Sequence, residues 1–246
     1  LIVCPDTGEA LAIDPLDHEK CLGAAKDKGW NITQVLNTHE HHDHTGGNAA
    51  VIKATGAKLL AHAGAQGSIP GIDRGLAAGD VISVGNTVEL ECLDTPGHTM
   101  SHICILTHTD RPSLFSGDTL FNAGAGNCHG GGHPEELYQT FATQLSKLPD
   151  ETLIYPGHDY KGDTVSTIGE EKSFNPRLQV ASAEEYADIM DSLILPDPTK
   201  MDVAVPANLA IGFSGDAPDI QEHSIPPDRA IERVGYSETL FIDLRE

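Results

Sequence analysis

Apolar residues along this chain gather in short runs, each closed by Gly, Pro, Asp or Asn. "LIVC", "ALAID", "ITQVLN", "KLLAH", "TVELECL", "HICILT", "SLFSGD" and "TLIYPG" read as buried strands of about four to seven residues. Helical patterns fall between them at 17–28, 47–55, 134–148 and 183–193. The third begins well, with Pro134 in its first turn and Glu135 and Glu136 beside it. Strands crowded into the first two-thirds, with helices between, predict an α/β fold of stacked sheets flanked by helices. From Ser214 the texture changes. "SGDAPDIQEHSIPPD" is rich in Pro, Gly and Asp and reads as a linker, after which "RAIERVGYSETLFIDLRE" resumes a helix-then-strand pattern.

The 246 residues are enough for one large domain or two small ones, and no apolar run is long enough for a membrane span. Nothing in "LIVCPDTGEALAIDP" resembles a signal peptide, so a cytoplasmic location is expected. Leu1 falls inside a strand-like run, which reads as an internal start with sequence upstream of it. The formal charge of -22 argues against nucleic acid or an anionic membrane as partner, since both require basic surfaces. Five scattered cysteines without metal or CxxC spacing point to a reducing compartment and not to a disulfide framework. Cys4, Cys92 and Cys104 sit in apolar runs and read as core residues; Cys128, beside His129, lies in a glycine-rich loop.

The chemistry concentrates in "NTHEHHDHTGGN", where His39, Glu40, His41, His42, Asp43 and His44 follow an apolar strand and precede two glycines. A solvated surface run would include lysines, and a packed core would not accept so many polar rings. Metal binding is the economical reading, and other strand ends supply further ligands. "LDTPGHT" places His98 in a Pro-Gly turn after a strand, "LFSGDTLF" places Asp118 at another strand end, and "LIYPGHDY" places His158 after a third. Each alone is as well read as an ordinary turn residue; four strand ends offering His and Asp together are not. His42, His62, His102, His108 and His223 lack such a context and are read as non-ligands.

THxHxDH, PGHT, SGDTLF and PGHDY in this order resemble the metallo-β-lactamase fold superfamily over about residues 1–213. The resemblance implies an αββα sandwich with metal at one edge of the two sheets. With two metals, His39, His41 and His98 would hold one, Asp43, His44 and His158 the other, and Asp118 would bridge. Glyoxalase II, a thioesterase for hydroxyacyl-glutathione with two Zn(II), is one similar branch. "SGDTLFNAGAGN" is similar to its GDTLF-x-x-GCGR stretch, with Ala125 and Asn127 at the Cys and Arg positions.

"YPGHDYKGDTVSTIGEEKSFNPRL" and "ILPDPTKMDVAVPAN" resemble the persulfide dioxygenase branch instead, which glyoxalase II does not share. That resemblance implies a single Fe(II) on His39, His98 and Asp118, with Asp43 and His44 turned away from it. His41, Asp43, His44 and His158 would then be hydrogen-bonding supports, with Asp43 also a catalytic candidate. The implied substrates are glutathione persulfide and O₂, giving sulfite and glutathione. Tyr160 would orient the persulfide sulfur, and Arg177 and Lys172 would meet glutathione carboxylates. "GAGNCHGGGHPEELY" departs from the loop of both branches. The end of the chain resembles the opening of a rhodanese domain. It is therefore read as 1–213 catalytic domain, 214–227 linker and 228–246 the start of a fused rhodanese-like domain making few contacts with the first. A homodimer is left open as the assembly.

Overall fold

The computed structural model describes residues 1–160 and 165–193, with the backbone of 240–241. The first half builds one sheet from β1 (Ile2–Val3), β2 (Glu9–Ile13), β3 (Asn31–Leu36), β4 (Lys58–His62) and β5 (Arg74–Leu76). The last four run parallel, joined by α1 (His18–Lys28) and by α2 (His42–Thr45) with α3 (Asn48–Thr55). Both faces of these strands are covered, which is why they read as unbroken apolar runs. Alternate residues serve alternate faces. Leu11, Leu36 and Leu60 point toward the second sheet, while Ala10, Ala12, Val35, Leu59 and Ala61 pack with Cys21 and Ala25 of α1 and Val51 of α3.

The second sheet holds β6 (Val81–Val84), β7 (Val88–Asp94), β8 (Ile103–Thr107), β9 (Ser113–Gly117), β10 (Leu153–Pro156) and β11 (Ser166–Thr167), ordered from β6 to β11. Ile82, Leu90, Cys92, Ile103 and Ile105 face the first sheet. Cys104, Leu106, Leu114 and Ile154 face outward, under α4 (Pro134–Thr143), α5 (Ile168–Phe174) and α6 (Ala183–Asp191), which add Leu137, Phe141, Ile168, Tyr186 and Met190. The result is the expected sandwich of two sheets between helical layers.

The helix expected at 134–148 ends at Thr143 and continues only as a 3₁₀ turn, Leu145–Lys147. Among the described residues, β5, β6, β11, α2, α5 and a 3₁₀ turn at Ala63–Gly67 were not anticipated. α5 carries a start signal, because Thr167 and Glu170 form a reciprocal capping box. Among the described residues no helix is long and apolar enough to cross a membrane.

One observation concerns the end of the chain. The strand expected near the end of the chain is present at β12 (Leu240–Phe241), but its backbone pairs antiparallel with β1, Val3 opposite Leu240. At Leu240–Phe241 the backbone thus forms the outer strand beside β1. The proposed boundary at 213, the linker, His223 and Ile242 lie outside the described residues.

Candidate metal centre

Five strand ends meet at one edge of the sandwich: β2 brings Asp14, β3 the 37–44 turn, β7 His98, β9 Asp118 and β10 His158. The turn after β3 is fixed by a buried amide pair. Asn37 Nδ2 donates to His44 O (3.0 Å), and Asn48 Nδ2 donates to Asn37 Oδ1 (2.6 Å). Gly47 has to be glycine, because a Cβ there would stand 1.7 Å from Pro15 O. This close approach turns the chain into α3 and aims the His44 ring inward.

The sequence-predicted donors come together in two groups. His41 Nδ1 lies 3.1 Å from His39 Nε2 and 3.0 Å from His98 Nε2. On the other side, His158 Nε2 stands 3.3 Å from Asp43 Oδ2 and His44 Nε2 stands 3.7 Å from it. Asp118 lies between. Its Oδ1 is 3.3 Å from His44 Nε2, and its Oδ2 is 3.6 Å from both His98 Nε2 and His158 Nε2. His44 therefore faces Asp118.

The outer nitrogens decide where the ring protons sit. His98 Nδ1 donates to Asn127 O and His41 Nε2 to Gly130 O (3.1 Å); a carbonyl can only accept. His44 Nδ1 donates to Asp14 Oδ2 (2.8 Å). Thr38 Oγ1 gives its proton to Asp14 Oδ2 (2.7 Å), so it accepts from His39 Nδ1 (3.0 Å). Hence His39, His41 and His98 present lone pairs to the interior, and His44 presents one at Nε2 once its second proton has left. Three mutually facing lone pairs repel unless a cation stands among them. Asp118 Oδ1 and Asp43 Oδ1 are also buried without a hydrogen-bond partner. This donor set fits a metal ion, and each group has its three donor atoms within 4.8 Å of one another.

Two supporting residues were missed in the sequence. Asp14 holds His44 and, through Thr38, His39. His102 was read as a non-ligand; its buried Nε2 accepts from Asp118 N (3.1 Å) while Nδ1 faces Thr95 and Thr119. Burial first, then the neighbouring His98, holds His102 well below the usual histidine range, so it remains an acceptor. Tyr160 stacks on His158 with ring centres 5.6 Å apart and is 63% exposed at the rim. Lys172 pairs with Asp150 (2.7 Å) on the surface, so its charge already has a partner. Arg177 is half-buried beyond α5. Cys128 packs against the outer helical layer, and burial pushes its thiol up to about 12, which makes it a poor nucleophile. His129 anchors its turn through its backbone, donating to Asn127 Oδ1.

The two groups differ in their protons. Burial pushes His98 down to about 4 and His39 well below the usual range, so these rings are neutral. Burial would lower His44 too, but Asp118, Asp14 and Asp43 outweigh it and hold the ring well above. His158 is raised likewise, burial being overcome by Asp118 and by its hydrogen bond to Asp43. Protons retained by these two rings must leave before a metal binds, whereas His39 and His98 have none to release. Metal on the Asp43–His44–His158 side should therefore weaken by about ten- to a hundredfold per pH unit as pH falls from 8 to 6. The other side, where His39 and His98 are held neutral, should weaken less. Equilibrium dialysis against limiting zinc across that range checks this, and parallel loss of both metals would contradict it.

Residues 4–158 match the Metallo-beta-lactamase superfamily model. The chain belongs to this superfamily. It is 59% identical over 228 residues to a hydroxyacylglutathione hydrolase of Polaromonas sp. (strain JS666 / ATCC BAA-500), covering 80% of this chain and 87% of that one. Other relatives of that name match over 160 residues, and the chain spans 61% of their length. It is 35% identical over 214 residues to the mitochondrial persulfide dioxygenase ETHE1 of Bos taurus, covering 85% of this chain and 81% of that protein. The crystal structure of ETHE1 from Myxococcus xanthus superposes with a TM-score of 0.73 at 38% identity, over 83% of this chain and 89% of that one. A metal-dependent enzyme of glutathione-related chemistry is the level at which these superfamily relatives agree.

Proposed function

We propose that this chain hydrolyses the thioester of a hydroxyacyl-glutathione at a two-metal centre. The observation that carries the reading is Asp118, whose two oxygens face two complete donor groups. His39, His41 and His98 would hold one divalent ion, Asp43, His44 and His158 the other, and Asp118 both. Bound there, such ions polarise the acyl carbonyl and bring the pKa of a water close to neutrality. The water oxygen joins the acyl carbon, the C–S bond breaks, and glutathione leaves as the thiol with the proton released. Asp43 would serve there as an anion: burial opposes its ionisation, but His44 and His158 hold its carboxyl well below the usual range. Tyr160 lies at the rim beside His158, placed to touch the glutathione peptide.

A second reading, persulfide oxidation by O₂ at one Fe(II) on His39, His98 and Asp118, is favoured by a different observation. The likeness to ETHE1 proteins extends over 83–85% of the chain, whereas several hydrolase relatives match over 65% of it. Anaerobically prepared protein separates the two. The hydrolase reading expects two metals per chain, loss of thioester absorbance and no O₂ uptake on glutathione persulfide. One iron per chain with persulfide-dependent O₂ uptake would replace it with the second.

Both readings need a cation for glutathione carboxylates, and Arg177 is our candidate. Arg177→Ala should raise KM several-fold with kcat retained, as expected for binding equal in ground and transition states. An unchanged KM with a lowered melting temperature would assign Arg177 to the scaffold.

A further inference from the structure

The loop that departs from both similar branches lies directly against the centre, and its backbone does chemical work there. Asn127 O takes the Nδ1 proton of His98, and Gly130 O takes the Nε2 proton of His41. The two rings are thereby held in opposite tautomers, His98 binding inward through Nε2 and His41 through Nδ1. The loop is pinned in turn. Gly126 N donates to Asp118 O (3.0 Å) and His133 N to Gly97 O (2.8 Å), so both ends are tied to the turns that carry the donors.

Glycine is demanded where loop meets site. A Cβ on Gly126 would stand 2.2 Å from Asp118 O and 2.7 Å from His98 Nδ1. On Gly130 it would stand 2.6 Å from His41 Nε2, and on Gly132 2.1 Å from Gly97 O and 2.2 Å from His98 O. Gly124, in the same loop, would meet only Phe121 Cβ, at 3.8 Å.

We propose that the 126–132 turn is a positioning template: its carbonyls fix the tautomers of His41 and His98, and its glycines keep side chains out of the imidazole shell. This rests on the reading in which His39, His41 and His98 together hold a metal ion. No side chain of the loop needs to contact substrate or metal. The same geometry explains why the loop tolerates Ala125 and Asn127, since it is the main chain of Asn127 that acts.

Gly130→Ala is the sharp probe, because the added methyl collides with the outer end of a ring and not with backbone. Zinc affinity of the three-histidine group should fall by about ten- to a hundredfold, the range for a lost supporting contact to a ligand. Melting of the metal-free variant should stay within a few degrees of the parent, and Gly124→Ala should bind zinc normally. Parent-like zinc affinity in Gly130→Ala would overturn the proposal, as would a loss that merely follows a fall in metal-free melting temperature. A second measurement needs no variant. Long-range ¹H–¹⁵N correlation on zinc-loaded parent protein should show His41 protonated at Nε2 and His98 at Nδ1. A His41 protonated at Nδ1, or a His98 protonated at Nε2, would refute the template even if Gly130→Ala failed to fold.

Discussion

Asp118→Ala should lower kcat/KM by about a thousandfold or more, equivalent to roughly 4 kcal/mol of barrier, and strip most of the bound metal. The expectation follows from position. Asp118 stands within 3.6 Å of imidazole nitrogens from both groups. Its carboxyl is held well below the usual range: burial opposes ionisation, but His158 and His44 outweigh it. Alanine removes that anion, so His44 loses one of the charges holding its proton and the two groups lose their common member. Asp118→Asn distinguishes charge from shape, since it keeps one oxygen and the backbone N–H that reaches His102. Metal content by elemental analysis and turnover on the hydroxyacyl-glutathione thioester are the readouts. Full metal loading with turnover within tenfold of the parent would remove Asp118 from the site, under either reading of the reaction.

What could be read beforehand was whatever a strand end announces locally. His39, His41, Asp43, His44, His98, Asp118 and His158 each follow an apolar run and precede a turn, and all seven converge. The layered sheets were legible for the same reason, since runs such as "KLLAH" bury both faces. The supports were not, because they depend on register. His102 reaches the Asp118 amide through the antiparallel pairing of β8 with β9, Ile105 opposite Phe115, which no local pattern encodes. The carbonyls of Asn127 and Gly130 carry no side-chain signature at all. Lys172 misled for the converse reason: its neighbours in sequence say nothing of Asp150, its partner in space. α5 could have been found, because its capping pair Thr167 and Glu170 is written in the chain.

Asp14 closes the first sheet's contribution, and its loss should be the most destabilising single change at the centre. Oδ1 accepts the Thr38 N–H (2.8 Å), and Oδ2 accepts both the Thr38 hydroxyl (2.7 Å) and His44 Nδ1 (2.8 Å). Removing the carboxylate leaves these donors unpaired beneath the site and takes a counter-charge from His44, at about 3–5 kcal/mol for a broken buried pair. For a domain of this size that is about 6–20 °C in melting temperature. Asp14 also sits at φ 45°, where alanine adds backbone strain. Asparagine tolerates that conformation, so Asp14→Asn isolates the hydrogen bonding. Its amide cannot satisfy the site in either orientation. With NH₂ in the Oδ1 position it confronts the Thr38 N–H; in the Oδ2 position it confronts His44 Nδ1–H. The second conflict is relieved only if His44 moves its proton to Nε2, which removes the lone pair facing Asp118. Asp14→Asn should therefore keep most of the destabilisation and lose about ten- to a hundredfold in metal affinity on the His44 side. Calorimetric melting of the metal-free form, with metal titration of the folded protein, measures the two effects separately. A variant that melts and binds metal like the parent would show that Asp14 supports neither ring.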